Sequence, residues 1–333
     1  MSLADLALYT GVDREQILID GAKKEGGKVI LYTSNSQIEG LMQDFQKKYP
    51  FLTVDVLRSQ NTQIQQRLVE EFRANNVLAD VVESSGTGMG QMAPLDFFQE
   101  FVSPDAAAYQ DADITRGPGG NILTLADREI YSGMGWNTNL VKSDEAPKTL
   151  DDLLDPKWKG KMGLVSTSTG TDWVGMVVDT RGQDFVKQVA QQQFKVQNMS
   201  AAALLDLIVS GEIAMSPVMG YADVLMAQAK GAPVQYGSIE PVITTIGSSA
   251  LIKKAPHPYS AVLLLDYIHS KDGQMAARDG QQISSPRADV PTTNLPPIKT
   301  KLVMSQKYSP DEYADKASEW EKLFKQYFLA NAQ

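Results

Sequence analysis

Cysteine is absent from the 333 residues, which excludes disulfides, thiolate metal sites and a cysteine nucleophile. Its absence fits an oxidising compartment. Histidine is nearly absent: only His257 and His269 occur, both late in the chain. Positive charge is in deficit, with 31 Lys and Arg against 40 Asp and Glu and a formal net charge of −9. Nucleic-acid binding needs basic faces that release counterions, so that class is set aside. No apolar run approaches the roughly 20 residues that span a bilayer. No cationic, apolar and small-residue leader opens the chain, and Met1-Ser2-Leu3 reads as an added start before a mature sequence.

What is present is ordinary for a soluble globular protein, with 43% hydrophobic and 21% charged residues. The length suits two domains of roughly 100 to 200 residues each. Enzyme signatures fail one by one. Residues 21–28 miss a phosphate loop because Gly27 separates Gly26 from Lys28 and Val29 stands where a hydroxyl belongs. Gly86, Gly88 and Gly90 miss the dinucleotide fingerprint at Gln91. The flanks of His257 and His269 suggest capping or surface roles.

The stretch 155–173 joins a turn, a short buried strand at 162–165 and a loop, 166–171, with five hydroxyls and a glycine. Asp172 is then expected to cap an apolar helix beginning at Trp173. A strand feeding a helix through such a loop makes an anion site, because the first amides of the helix lack internal partners and carry the positive end of its dipole. The same order recurs twice earlier. Strand 29–32 ends in Thr33-Ser34-Asn35-Ser36 before a helix with Leu41, Phe45 and Tyr49, and strand 80–83 ends in Ser84-Ser85-Gly86-Thr87-Gly88. Strands alternating with helices predict an α/β fold whose ligands sit beyond the carboxyl ends of strands.

Elsewhere, helices are predicted over 13–25, 60–75, 183–193, 200–211 and 259–269, with strands at 52–57, 212–215, 234–236 and 241–252. Residues 102–128 give no clear element. Residues 130–137 read as an extended segment in which Gly133 and Gly135 can absorb rotation. The last helix is well signalled by a Ser309/Glu312 capping box, Pro310 at the first position and a stripe through Trp320, Leu323, Phe324, Tyr327 and Phe328. Prolines 286, 291, 296 and 297 mark an irregular connection.

The run Leu-Leu-Asp-Pro-Lys-Trp-Lys-Gly-Lys at 153–161, with Gly-Ala-Lys-Lys-Glu-Gly and Val-Ile-Leu-Tyr-Thr-Ser at 21–34, resembles bacterial periplasmic solute-binding proteins of ABC importers, in the type II group that includes ferric-iron binders. The resemblance implies a two-lobed periplasmic-binding-protein type II fold, with two mainly parallel mixed sheets joined by two crossing strands. Lobe one would be 13–128 plus 246–297, and lobe two 129–245 plus 298–333. It also implies export to the periplasm, a monomer without cofactor, and an inner-membrane ABC permease as partner.

Any one hydroxyl loop alone is an ordinary capped turn. Three together are expected to converge on a small anionic solute with a phosphonate, phosphate or carboxylate head. The candidate ligand contacts are Thr33, Ser34, Asn35, Ser36, Ser84, Ser85, Gly86, Thr87, Ser168, Thr169, Gly170, Thr171, Trp173, Asn198, Ser200 and Tyr221. Asn198 and Ser200 serve equally well as helix caps, and Trp136 and Trp173 equally well as core. Glu83 or Asp172 would suit a ligand ammonium, and Arg58 or Arg287 an anion. Ferric binders of the resembled family carry two adjacent tyrosines where this chain has Tyr221-Ala222, so iron is the alternative ligand, short of one hard oxygen donor. A hydrolase or transferase using the same cleft is the alternative from another class.

Overall fold

The computed structural model describes residues 1–35, 37–281, 284–291 and 298–330. The chain divides into two compact units, Met1–Glu129 with Ile246–Thr293, and Ile130–Thr245 with Asn294–Gln333.

The first unit begins with α1 (Leu3–Ala7), a helix the sequence reading did not foresee, capped by Ser2 and burying Leu6 and Ala7. Then follow α2 (Arg14–Lys24), β1 (Lys28–Thr33), α3 (Ile38–Lys48), β2 (Thr53–Arg58), α4 (Asn61–Arg73), β3 (Val81–Ser85), α5 (Gly86–Met92), β4 (Phe98–Gln99), β5 (Ile114–Arg116) and β6 (Ile122–Asn137). Helix α2 stops because Gly26 and Gly27 take φ of 95° and 65°. A Cβ on Gly27 would also lie 2.1 Å from the Phe51 carbonyl oxygen, so the turn admits no side chain.

The central ladder of this unit is parallel: β1 pairs with β2 on one side and β3 on the other, with Thr33 opposite both Arg58 and Glu83. Alternating helices force that geometry, since parallel neighbours need a crossover. Between sheet and helices, Tyr32, Ile64, Leu68, Val82, Met92 and Phe98 form an apolar core. Residues 102–128 are not structureless: they hold β5 and the first half of β6, paired antiparallel at Ile114↔Leu125. The charges of Asp127 and Arg128 interrupt the apolar pattern there, and they are buried because they are paired.

The chain enters the second unit within β6. There follow β7 (Gly163–Val165), α6 (Ser168–Arg181), α7 (Gln183–Ala190), β8 (Lys195–Gln197), α8 (Ala201–Val209), β9 (Met215–Gly220), α9 (Tyr221–Ala229), β10 (Val234–Gly237) and β11 (Val242–Ile252). The strand expected at 212–215 begins only at Met215 and runs on through Pro217, fully buried. The later part of β6 pairs antiparallel with β9 and β10, while β7 and β8 pair in parallel. A β-bulge falls between Gly133 and Gly135. These glycines serve close packing: a Cβ would lie 2.6 Å from Tyr236 Oη at the first and 2.4 Å from Met219 Cγ at the second.

The later part of β11 returns to the first unit and pairs antiparallel with β3, Ser248 opposite Ser84. It leads to α10 (Pro258–His269) and α11 (Lys271–Gln281). His269 is no surface residue. It is fully buried, with Nε2 2.9 Å from Ser249 Oγ and its ring stacked on Phe101. Prolines 296 and 297 lie outside the described residues.

The second unit closes with β12 (Lys301–Leu302), α12 (Met304–Lys307) and α13 (Pro310–Phe324). The Ser309/Glu312 capping box forms. Trp320 packs flat against α6, where a Cβ on Gly175 would sit 2.5 Å from the indole, and Trp173, Phe194 and Phe328 meet ring to ring beside it.

Candidate functional site

In the first unit the parallel register places two of the hydroxyl loops side by side. Thr33 ends β1 and is fully buried; its hydroxyl donates to Glu83 and accepts from the Asn35 amide at 2.9 Å. Asn35 in turn accepts from the Gln37 amide at 2.9 Å. Ser34 Oγ lies 3.4 Å from Ser84 Oγ. Ser36 lies outside the described residues. Ser84 and Ser85 remain in β3, and Gly86 opens α5 at once, so the expected loop at 84–88 is a strand-to-helix junction. Ser85 caps that helix, accepting from Gly88 N at 3.3 Å, and its Oγ is 3.1 Å from that of Thr87.

Asn61, at the start of α4, ties the junction together. Its amide donates to Ser85 Oγ at 2.7 Å and accepts from Ser84 Oγ at 2.6 Å. Sequence reasoning passed over Asn61, although a carboxamide opening a helix after the strand ending at Arg58 is the available signal. It also passed over Arg128. That guanidinium is buried in ion pairs with Glu83 and, at 3.2 Å, with Asp127. Burial pushes its pKa down to about 9, which leaves it charged at neutral pH. Gly247 makes room for it, since a Cβ there would lie 2.3 Å from the guanidinium carbon.

Glu83, which would have suited a ligand ammonium, is therefore committed to Arg128 and Thr33. Arg287 is likewise committed, to Asp105 at 2.6 Å, Asp289 at 2.9 Å and the His269 carbonyl at 2.8 Å. Arg58 is exposed at the end of β2.

In the second unit the third loop follows β7. Ser166 bonds the Gln197 carbonyl through its amide, and its Oγ lies 3.4 Å from Asn198 Oδ1, so Ser166 and Asn198 meet at the ends of β7 and β8. The helix begins earlier than its apolar pattern suggests. Thr167 is the N-cap, and Ser168, Thr169, Gly170 and Thr171 form the first turn of α6. Gly170 admits no side chain, because a Cβ would fall 1.9 Å from the Val165 carbonyl oxygen.

Asp172 is thus inside the helix, not its cap. Its carboxylate accepts from Tyr313 Oη at 2.6 Å, and burial raises its pKa to about 6. Trp173 is buried among Phe194 and Phe328, so its ring is closed to a ligand in this conformation. Ser200 caps α8, accepting from Ala203 N at 3.2 Å. Tyr221 opens α9 after β9, which adjoins β7 through the parallel Met162↔Met215 bridge. Its ring meets Tyr236 edge to face at 5.3 Å, and burial raises the pKa of its phenol.

Both units thus set uncharged donors at the carboxyl ends of parallel strands, the position where open α/β sheets hold ligands. Neither histidine joins them. The side-chain partners of His269 and His257 are Ser249 and Asp80, not the serines of the three loops. Among the described residues no group of three or more His, Cys, Asp or Glu is arranged to hold a metal, and no helix is long and apolar enough to cross a membrane.

Solved structures of the type II periplasmic-binding-protein fold share this architecture. A substrate-binding protein of an ABC transporter from Agrobacterium tumefaciens matches with a TM-score of 0.75 at 14% identity, covering 90% of this chain and 95% of that one. Trichodesmium FutA, solved with iron and citrate, matches at 0.69 and 18% over 90% and 99%. Actinobacillus pleuropneumoniae AfuA, solved with fructose-6-phosphate, matches at 0.68 and 20% over 91% and 99%. No curated protein matches the sequence. The profile of the bacterial extracellular solute-binding protein family matches residues 32–275, and the chain belongs to that family.

Proposed function

We propose that this chain is the periplasmic receptor of an ABC importer, holding a small solute by a phosphonate, phosphate or carboxylate head in the cleft between two lobes and delivering it to the permease as a monomer. The observation that carries the reading is the set of neutral donors at strand ends in both units: Ser34, Ser84, Ser85 and Asn61 in one, and Ser166, Asn198, Tyr221 and the first turn of α6 in the other. A hydrogen bond to a charged group contributes about 1.5 to 3 kcal/mol. A micromolar dissociation constant requires about 8 kcal/mol. A handful of contacts therefore suffices after ordering costs, and catalysis has no part in the reading.

Closure would be a population shift, in which the ligand stabilises a closed state by contacts made only there. A thermal-shift screen with anionic metabolites tests the proposal. At a hundredfold excess over its dissociation constant a specific ligand contributes about 2.7 kcal/mol. A screen of phosphonates, phosphates and carboxylates without any stabilising compound would defeat it. Ferric salt belongs in the same screen, because a visible tyrosinate band on its addition would move the assignment to iron.

A further inference from the structure

The carboxylates beside the candidate site fall into two groups. Glu83 and Asp127 face Arg128, and Asp172 accepts from Tyr313 Oη. Asp223 is different. It lies in the first turn of α9, two residues beyond Tyr221, partly withdrawn from water, and among the described residues no hydrogen bond or ion pair reaches it. Gly220 gives it space, for a Cβ there would sit 2.7 Å from Asp223 Oδ2. The carboxylate therefore folds back over the residue that joins β9 to the helix.

Burial raises its pKa. A carboxylate held from water without a donor is unfavourable unless something completes it. An ammonium group would complete such a carboxylate through a charge-assisted hydrogen bond.

We propose that Asp223 receives an ammonium group of the solute, so that the ligand is a small zwitterion with an anionic head and an amine. This rests on the proposed binding of an anionic head. It also assigns to Asp223 the part that Glu83 and Asp172 cannot play, since their carboxylates already have internal partners.

Matched pairs differing only in the amine test the assignment by isothermal titration of the intact chain: 2-aminoethylphosphonate against ethylphosphonate, phosphoethanolamine against ethyl phosphate, and β-alanine against propionate. In at least one pair the amine should bind about 10 to 100 times more tightly, the worth of one charge-assisted hydrogen bond. Asp223→Asn should remove that advantage while leaving the amine-free member within about twofold. The comparison on the unaltered protein needs no variant, so a misfolded substitution does not blunt it. Equal affinities within every pair that binds, or an amine preference untouched by Asp223→Asn, would overturn the role of Asp223 and leave the anionic head standing. Binding by none of the compounds at millimolar concentration would overturn the anionic-head reading and this one with it.

Discussion

Replacing Arg128 with methionine should destabilise the first unit far more than the loss of one surface charge would. The side chains of Arg128 and Glu83 are 5% and 1% exposed, so removing the guanidinium leaves Glu83 buried with the Thr33 hydroxyl as its remaining donor. Breaking a buried ion pair from one side costs about 3 to 5 kcal/mol. In a unit of this size each kcal/mol lowers the midpoint by about 2 to 4 °C, which gives a fall of about 6 to 20 °C. Glu83→Gln should cost less, because Arg128 keeps Asp127 at 3.2 Å. The double variant Glu83→Gln/Arg128→Met leaves neither charge of the pair, so its cost should undercut the sum of the singles by about 0.5 to 3 kcal/mol.

The assay can separate the two units. All four tryptophans (Trp136, Trp158, Trp173 and Trp320) belong to the second. Urea unfolding followed by far-ultraviolet circular dichroism reports both units, and tryptophan fluorescence reports the second. Arg128→Met should move the dichroism transition and leave the fluorescence transition nearly in place. A loss under about 1 kcal/mol, or singles that add without coupling, would refute the claim that this pair is buried and interdependent.

Gly170→Ala should cost at least about 1 to 3 kcal/mol through overpacking, seen as an earlier fluorescence transition, because its Cβ would meet the Val165 carbonyl at 1.9 Å. Burial holds His269 neutral in the folded chain and lowers its pKa to about 3. The unfolded chain therefore takes up the proton first as pH falls below about 6.5, and stability is lost progressively from there down to about 3. His269→Gln should lose packing at every pH yet flatten this slope, with about 2 to 3 kcal/mol less change between pH 6.5 and 4.5 in urea titrations. An unchanged slope would place the acid sensitivity elsewhere. Ser309→Ala, which removes the capping box of α13, should cost about 1 kcal/mol by the same measurement.

Elements whose signals are local were legible before folding. The capped helix α13 and the glycine stop of α2 appear where periodicity and caps place them, and β11 spans nearly the whole of the β-prone run at 241–252. The first half of β6 was missed because Asp127 and Arg128 look like solvent residues until Glu83, more than 40 positions earlier, is brought beside them. Helix α6 was started too late because four hydroxyl residues in a row offer several competing caps, and Thr167 takes the position that Asp172 had been given.

The order of strand, hydroxyl junction and helix, the solvated acidic composition and the resemblance to solute-binding proteins are properties of neighbouring residues, and neighbouring residues determine them. Which carboxylates are satisfied is a different kind of fact. Glu83 meets Arg128, Asp172 meets Tyr313 and Arg14 meets Asp266 across long separations in the chain, while Asp223 has no such partner among the described residues. A hydrogen bond depends on positions in space, and only the folded backbone brings distant donors within about 3 Å of an acceptor.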